Sequence, residues 1–469
     1  MLDLLLRNGR VFHEGKFEEE DVGIKGNRIV KIGVIAEQAS KEVDLEGRTV
    51  LPGFIDSHAH MLHLGLQKLR LDLSECKTRE EVIEKARNRA NDPGTKVIVG
   101  YGWDESAWGE TDYLRKDELD FIEKPVVMYR RDGHMATLNS AALRKLGLES
   151  RDGILKEGDL DLLDALVSPD PAEITAALEV AFNMALREGV TAVRDYVDRA
   201  TALVYSSLNP PIRVYRSIYA DEYFEGFQGE SSWGVKAFLD GSIGARTAAH
   251  EGWPDSNLKM DDAQFAKLAT SFWERGMPVA VHAIGDRAIS VALRVFQNAP
   301  LRNSVEHFEL VNDEMLDEVG NTFISAQPNF LQWALPGGLY ESRLGKGWLE
   351  QNNPFHEILA RGLDLAFGSD CMPFGPSYGI YYAVSSPYSR QRITLEQAIE
   401  CYTKAGAKLL GAPLLGTIRE GSYADIAVFG ADYGRNVEGL RSEKSQMTIV
   451  NGRIAYVRSA DRFLVNESG

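Results

Sequence analysis

Cysteine is scarce in this chain: three residues, Cys76, Cys371 and Cys401, stand among 469 with no paired spacing. An odd, scattered set excludes a disulfide framework and a zinc ribbon, and it predicts a reducing, cytoplasmic setting. Long apolar runs are missing too. No stretch reaches the roughly 20 apolar residues of a membrane span, and the opening Met1–Gly9 carries an acid inside a short apolar run with no basic leader. Positive charge is in deficit, 52 Lys+Arg against 69 Asp+Glu for a net charge of −17, with no basic block. That balance argues against nucleic acid and against anionic membrane surfaces as partners. Histidine is rare as well, at nine residues, so the places where histidines gather carry information.

The richest of those places is Leu51-Pro52-Gly53-Phe54-Ile55-Asp56-Ser57-His58-Ala59-His60. Successive side chains of a strand point to opposite faces, so an i, i+2 spacing aims both imidazoles the same way. Two neutral imidazoles at a strand end form half of a metal site; on their own they equally suit polar residues closing a buried strand. Further strand-like segments then end in chemistry-bearing residues. Trp233–Gly241 carries Lys236 in its apolar part, Pro278–Asp286 carries His282, Ser304–Phe308 carries His307, and Leu363–Asp370 runs into Gly-Ser-Asp. The order along the chain is His-x-His, Lys, His, His, Asp.

With these segments in view, the chain resembles the amidohydrolase superfamily, and most closely amidohydrolase family 3, the YtcJ-like branch. Other segments similar to that branch are Gly102-Trp103-Asp104 with Trp108, Asp132-Gly133-His134 with Asn139–Leu143, Lys236 through Asp240-Gly241-Ser242, His282–Asp286 and Glu306-His307. The resemblance covers essentially the whole chain. It implies a distorted (β/α)8 TIM barrel, an α/β fold, with a small β-sandwich domain built from both termini. It also implies that His58, His60 and Asp370 hold one metal, that His282 and His307 hold a second, and that Lys236 bridges them.

A lysine ammonium has no lone pair and cannot bind a metal. Burial in an apolar strand disfavours its charge, and a neutral amine can take up carbon dioxide to give an anionic, two-oxygen carbamate. Lys236 at that position is therefore read as N6-carboxylated; an isolated lysine would more commonly snorkel out of its strand. Mixed imidazole and carboxylate donors suit Zn²⁺, two per chain, with Mn²⁺, Fe²⁺ and Co²⁺ compatible by ligand type. Asp370 doubles as the candidate general base, taking a proton from the attacking water and delivering it to the leaving nitrogen. His134 is read as a catalytic and substrate contact, against a purely structural role within its loop. Trp103 and Asp104 are read as pocket-lining residues, Trp103 alternatively as core packing. Asp240 is read as a substrate contact or as an acceptor orienting a ligand.

Organisation along the chain follows local grammar. Residues 1–50 and 412–469 show short alternating strands and turns, with Asn8-Gly9-Arg10-Val11 echoed by Asn451-Gly452-Arg453-Ile454. Neither segment closes a core alone, which predicts one discontinuous domain. Residues 51–411 alternate helical and strand patterns and read as the barrel, helices being expected over Pro171–Gly189, Asp261–Gly276, Asn312–Gly320 and Asn353–Gly362. No Gly-x-Gly-x-x-Gly follows the first strand, and ligands drawn from five strand ends suit a closed barrel over an open sheet. The stretch Leu148–Ser168 is short beside the family pattern, which weakens any transfer of substrate identity. The expectation is a metal-dependent hydrolase of a small-molecule amide, N-acyl or N-formyl carbon–nitrogen bond other than a peptide bond, with a homodimer compatible. The competing readings are an esterase, lactonase or cyclic-amide hydrolase in the same site, single-metal lyase or isomerase chemistry, and a non-catalytic ligand-binding barrel.

Overall fold

The structure, a computed structural model, describes residues 1–108, 112–131, 135–227, 232–459 and 463–467. The chain divides into two compact units, residues 1–60 with 182–469 and residues 61–181.

The larger unit is built on eight parallel strands. In ladder order they are Phe54–Ala59, Val190–Val197, Arg213–Tyr219, Ser232–Phe238, Val279–Ala283, Ser304–His307, Phe323–Ala326 and Leu365–Phe367. Each residue of the first and second strands is buried, as parallel strands covered on both faces require, whereas the third, Arg213–Tyr219, is mostly half-buried. Tyr196, Trp233, Ala280, Phe323 and Ala366, from five strands, pack into one interior cluster with Leu409 and Leu415. The eighth strand returns to the first. Asp370 N–H donates to His58 O at 2.8 Å, and Ser369 N–H and Oγ donate to the Asp56 carboxylate at 3.0 and 2.6 Å. Gly368 permits this approach, because a Cβ there would lie 2.4 Å from His58 N.

Helices lie between most of these strands. The expected ones are present as Pro171–Arg187, Asp262–Trp273, Asp313–Glu318 and Phe355–Ala360. Two of them start where the capping chemistry places them: Asp261 accepts from Gln264 N in a capping box, and Asn312 accepts from Met315 N. The alternation is broken between the third and fourth strands, where the described residues hold a single 3-10 turn at Ala220–Glu222 and no α-helix.

Both chain ends share one mixed nine-stranded sheet. The join is Thr49–Pro52, parallel to Leu2–His13 on one side and antiparallel to Ile426–Phe429 on the other. Ala39–Asp44 branches from Leu2–His13 and carries Leu464–Glu467. Leu4, Leu6, Val22, Ile24 and Val43 from the N-terminal strands share a core with Ile426, Val428 and Ile449 from the C-terminal ones. A half-sheet from either end would leave those side chains wet, which is why the two segments fold together.

The smaller unit holds a five-stranded mixed sheet in the order Ile154–Lys156, Met135–Leu138, Val126–Arg130, Ile98–Trp103, Leu71–Asp72. Alternate residues serve opposite faces: Val126 and Met128 pack with Val82 and Ala86 of helix Arg79–Ala90, and Val127 packs with Ala142 and Leu143 of helix Ser140–Leu146. Residues 51–411, read from the sequence as the barrel, include this unit.

Candidate metal centre

Five barrel strands deliver their chemistry at their C-terminal ends, the face where barrels of this kind place their sites. His58 and His60 close the first strand. The His58 Nδ1–H donates to Glu306 Oε2 at 2.8 Å, which fixes the proton on Nδ1 and leaves Nε2 as a lone pair. That Nε2 lies 3.5 Å from Asp370 Oδ1, and His60 Nε2 lies 3.0 Å from the same oxygen. His307 Nδ1 is 2.7 Å from Gln327 Oε1, so its Nε2 is likewise free. His282 is turned the other way, with Nε2–H directed to Gly241 O at 3.0 Å and Nδ1 left over.

The rings form a continuous set, His58 to His307 at 4.8 Å and His307 to His282 at 4.4 Å between centroids. Donor atoms of His58, His307 and Asp370 all lie within 4.8 Å of one another. Burial pushes the imidazolium forms of His58 and His307 well below the usual range and takes His282 to about 3, so these rings are neutral and able to donate a lone pair.

Lys236 sits among them on the fourth strand, 2% exposed, its Nζ without a hydrogen-bond partner and 4.2 Å from the Tyr196 ring centroid. Burial, ahead of every other influence, lowers its ammonium to about 8. A neutral amine is therefore accessible near neutrality, as a carbamate requires.

The donor set fits a divalent metal on its own geometry. With the His58 proton committed to Glu306, a lone pair faces a carboxylate oxygen at 3.5 Å, acceptor against acceptor. A cation between them turns that repulsion into ligation. Backbone strain gathers at the same place. Of the ten described non-glycine residues with positive φ, four are His307, Phe308, Asp370 and Cys371, at two candidate ligand positions. Such conformations cost about 1–3 kcal/mol each and persist where the surroundings enforce them.

Around the ligands lies a fully buried layer. Arg194, on the second strand, donates through Nη2 to both Glu306 oxygens at 2.7 Å, through Nε to Ser57 O at 2.7 Å and through Nη1 to Ser304 Oγ at 2.9 Å. Burial pulls the Glu306 carboxyl up, but Arg194 and then Lys236 outweigh it and hold it below its ordinary value. Asp240 accepts from the N–H groups of Ala249, Ile284 and Gly285 at 2.9, 3.1 and 2.7 Å and lies 3.4 Å from His282 Nε2. Burial nevertheless pushes its carboxyl to about 7. Its oxygens are thus occupied by the backbone of the following loops, and the residue is buried.

The remaining sequence-based candidates, Trp103, Asp104 and His134, belong to residues 61–181. Trp103 is in the core of the smaller unit with no exposed surface, its Nε1–H donating to Met128 O at 2.8 Å. It packs that unit's interior and presents no face to a ligand. Asp104 follows it, with Arg131 at 3.5 Å and Arg130 at 3.9 Å. His134 lies outside the described residues. A second group of close donors, His13, Glu18 and Glu20, is half-exposed on the first hairpin, where His13 Nε2 bridges the two carboxylates at 3.0 and 2.9 Å.

Arg194 and Tyr196 were not singled out from the sequence. Their signal was present: a charged residue inside Val190-Thr191-Ala192-Val193-Arg194-Asp195-Tyr196-Val197, the same anomaly that marked Lys236.

The model of the amidohydrolase family matches residues 41–456. The chain belongs to the amidohydrolase family. It is 27% identical to the amidohydrolase YtcJ of Bacillus subtilis (strain 168), over 90% of this chain and 91% of that protein. It is 23% identical to the N-substituted formamide deformylase of Arthrobacter pascens, over 93% and 94% of the two chains. Among solved structures, an uncharacterized metal-dependent hydrolase from Pyrococcus horikoshii OT3 superposes with a TM-score of 0.80 at 26% identity, covering 93% of this chain and 99% of that one. Family membership, joined to the barrel and its converging donors, makes this chain a metal-dependent hydrolase. Among the described residues, no helix is long and apolar enough to cross a membrane.

Proposed function

We propose that the chain hydrolyses the carbon–nitrogen bond of a small amide, an N-acyl or N-formyl compound, at a centre of two divalent metals, most simply Zn²⁺. His58, His60 and Asp370 would hold one metal and His282 and His307 the other, with a carboxylated Lys236 shared between them. The observation that carries this reading is Lys236: a buried amine with no partner, lowered to about 8, in the middle of neutral imidazoles. When bound, the metals supply Lewis acidity, which brings the pKa of water from 15.7 towards about 7 and polarises a carbonyl.

The protein's own residues do the rest. Glu306, kept ionised by Arg194, holds the His58 proton on Nδ1, and Asp240 with Gly241 O turns His282 so that Nδ1 faces the centre. Asp370 takes the proton of the attacking water on a carboxylate oxygen and returns it to the leaving nitrogen. The balance is one carbon–nitrogen bond broken, one carbon–oxygen bond formed, and a carboxylic acid and an amine released. The printed name of the Arthrobacter relative, a formamide deformylase, is in keeping with this bond type.

The test is elemental analysis of protein purified without chelator, beside a Lys236→Ala variant. About two metals per chain in the parent and fewer in the variant are expected, as is a carbamate carbon resonance after labelling with ¹³C-bicarbonate. Protein that takes up no metal from Zn²⁺ and bicarbonate would overturn the mechanism and favour a ligand-binding barrel.

A further inference from the structure

Four candidate ligand imidazoles converge on the centre, and three of them set their second ring nitrogen against a fixed acceptor. These acceptors are Glu306 for His58, Gln327 Oε1 for His307 and Gly241 O for His282. His60 differs in place and in partner. It lies one residue past the strand Phe54–Ala59, whose ladder to the second strand ends at Ala59 opposite Asp195. Its backbone N–H donates to Cys371 Sγ at 3.3 Å, a weak acceptor. Its side chain is 26% exposed, against 1% for His58 and 14% for His282, while His307 is buried. Of the four rings, His60 is thus the one that backbone and burial restrain least. A ligand imidazole binds well only when a partner holds its orientation and its proton.

The third barrel strand supplies that partner. Arg213–Tyr219 contributes no candidate ligand, yet its last residue reaches His60 across the second strand. Tyr219 stands opposite Lys236 in the ladder to the fourth strand, and its ring lies 6.0 Å from that of Phe238. Its hydroxyl oxygen is 3.3 Å from His60 Nδ1. On the far side of the same imidazole, Nε2 is 3.0 Å from Asp370 Oδ1, and the Tyr196 ring flanks it at 5.6 Å. The two ring nitrogens of His60 are therefore spoken for by residues of different strands. A hydroxyl accepts as well as donates, so Tyr219 can take the Nδ1 hydrogen bond and leave the Nε2 lone pair facing Asp370.

We infer that Tyr219 is the positioning residue of His60: its hydroxyl accepts from Nδ1–H and so turns Nε2 towards the metal held with Asp370. This rests on the metal-centre reading above, and it goes further in giving a task to the one strand among the first five that carries no ligand. Tyr219 does for a partly exposed ring what Glu306 does for the buried His58. Without the hydroxyl, the imidazole is free to turn about its side-chain bonds and its proton is free to settle on either nitrogen. Loss of such a partner weakens metal binding by about 10- to 100-fold.

The experiment measures Zn²⁺ affinity by chelator competition in the parent, Tyr219→Phe, His60→Gln and the double variant. Tyr219→Phe keeps the ring and its packing and removes the hydroxyl alone; cooperative denaturant unfolding of each protein confirms its fold. The substitution is expected to weaken Zn²⁺ binding by about 10- to 100-fold in the parent and to add nothing in the His60→Gln background. Equal weakening in both backgrounds, as a general packing defect gives, overturns the assignment and keeps the metal centre. So does unchanged affinity in Tyr219→Phe. Should the parent take up no Zn²⁺, ¹⁵N spectra of histidine-labelled protein decide the two readings separately. The resonance that His60→Gln removes is then expected to shift in Tyr219→Phe, which keeps the positioning contact and discards the metal reading. An unshifted resonance discards both.

Discussion

The Arg194–Glu306 pair offers a sharp test of how the centre is held. Both side chains have no exposure, and Arg194 Nη2 meets both Glu306 oxygens at 2.7 Å while Glu306 Oε2 takes the His58 Nδ1 proton at 2.8 Å. Glu306→Gln keeps the volume but leaves a guanidinium buried without its counter-charge; Arg194→Met leaves a carboxylate in the same position. Either change breaks a buried pair and is expected to cost about 3–5 kcal/mol. The double variant removes both charges, so its loss falls short of the sum of the singles by about 2–3 kcal/mol, the coupling expected of groups in one network. Denaturant unfolding of the metal-free protein measures the stability cycle. Zinc affinity by chelator competition measures the function, and Glu306→Gln should weaken it about 10- to 100-fold, the usual result of losing a partner that fixes a ligand imidazole. Additive single losses, or unchanged zinc affinity in Glu306→Gln, would refute the coupling of this pair to the His58 tautomer.

Two further substitutions test the packing on which the site depends. Gly368→Ala places a Cβ 2.4 Å from His58 N, so the first and eighth strands must separate; a loss of about 1–3 kcal/mol and lower metal content are expected, read by denaturation and elemental analysis. Trp103→Ala empties a fully buried site and should cost about 3–5 kcal/mol of stability; if Trp103 instead served substrate, KM would rise with stability unchanged.

Much of the candidate centre was legible before any coordinate. The i, i+2 pair His58 and His60, Lys236 inside an apolar strand, and His282, His307 and Asp370 at strand ends are local anomalies, each readable within a few residues. The helix starts at Asp261 and Asn312 were legible for the same reason, since a cap is a contact between residues three apart. Less legible was anything requiring two distant segments. The insertion of residues 61–181 follows the same strand and helix grammar as the barrel, so periodicity alone could not separate its sheet from the barrel's. Trp103 illustrates the ambiguity of a large aromatic, whose pattern in sequence is the same for a pocket wall and for a core.

What the sequence by itself determined, then, is the inventory: which donor types exist, in what order, and on strands of what character. The tertiary structure decided their use. His58 and Glu306 are 248 residues apart, yet their hydrogen bond chooses which imidazole nitrogen faces Asp370. Asp240 and Gly285 are 45 apart, and the backbone N–H groups that occupy the Asp240 carboxylate meet it only once these loops fold together. The physical reason is that a strand's period sets only the face on which a side chain emerges. Its protonation and its free lone pair depend on the partners that barrel closure brings within 3 Å, and no spacing along the chain encodes those.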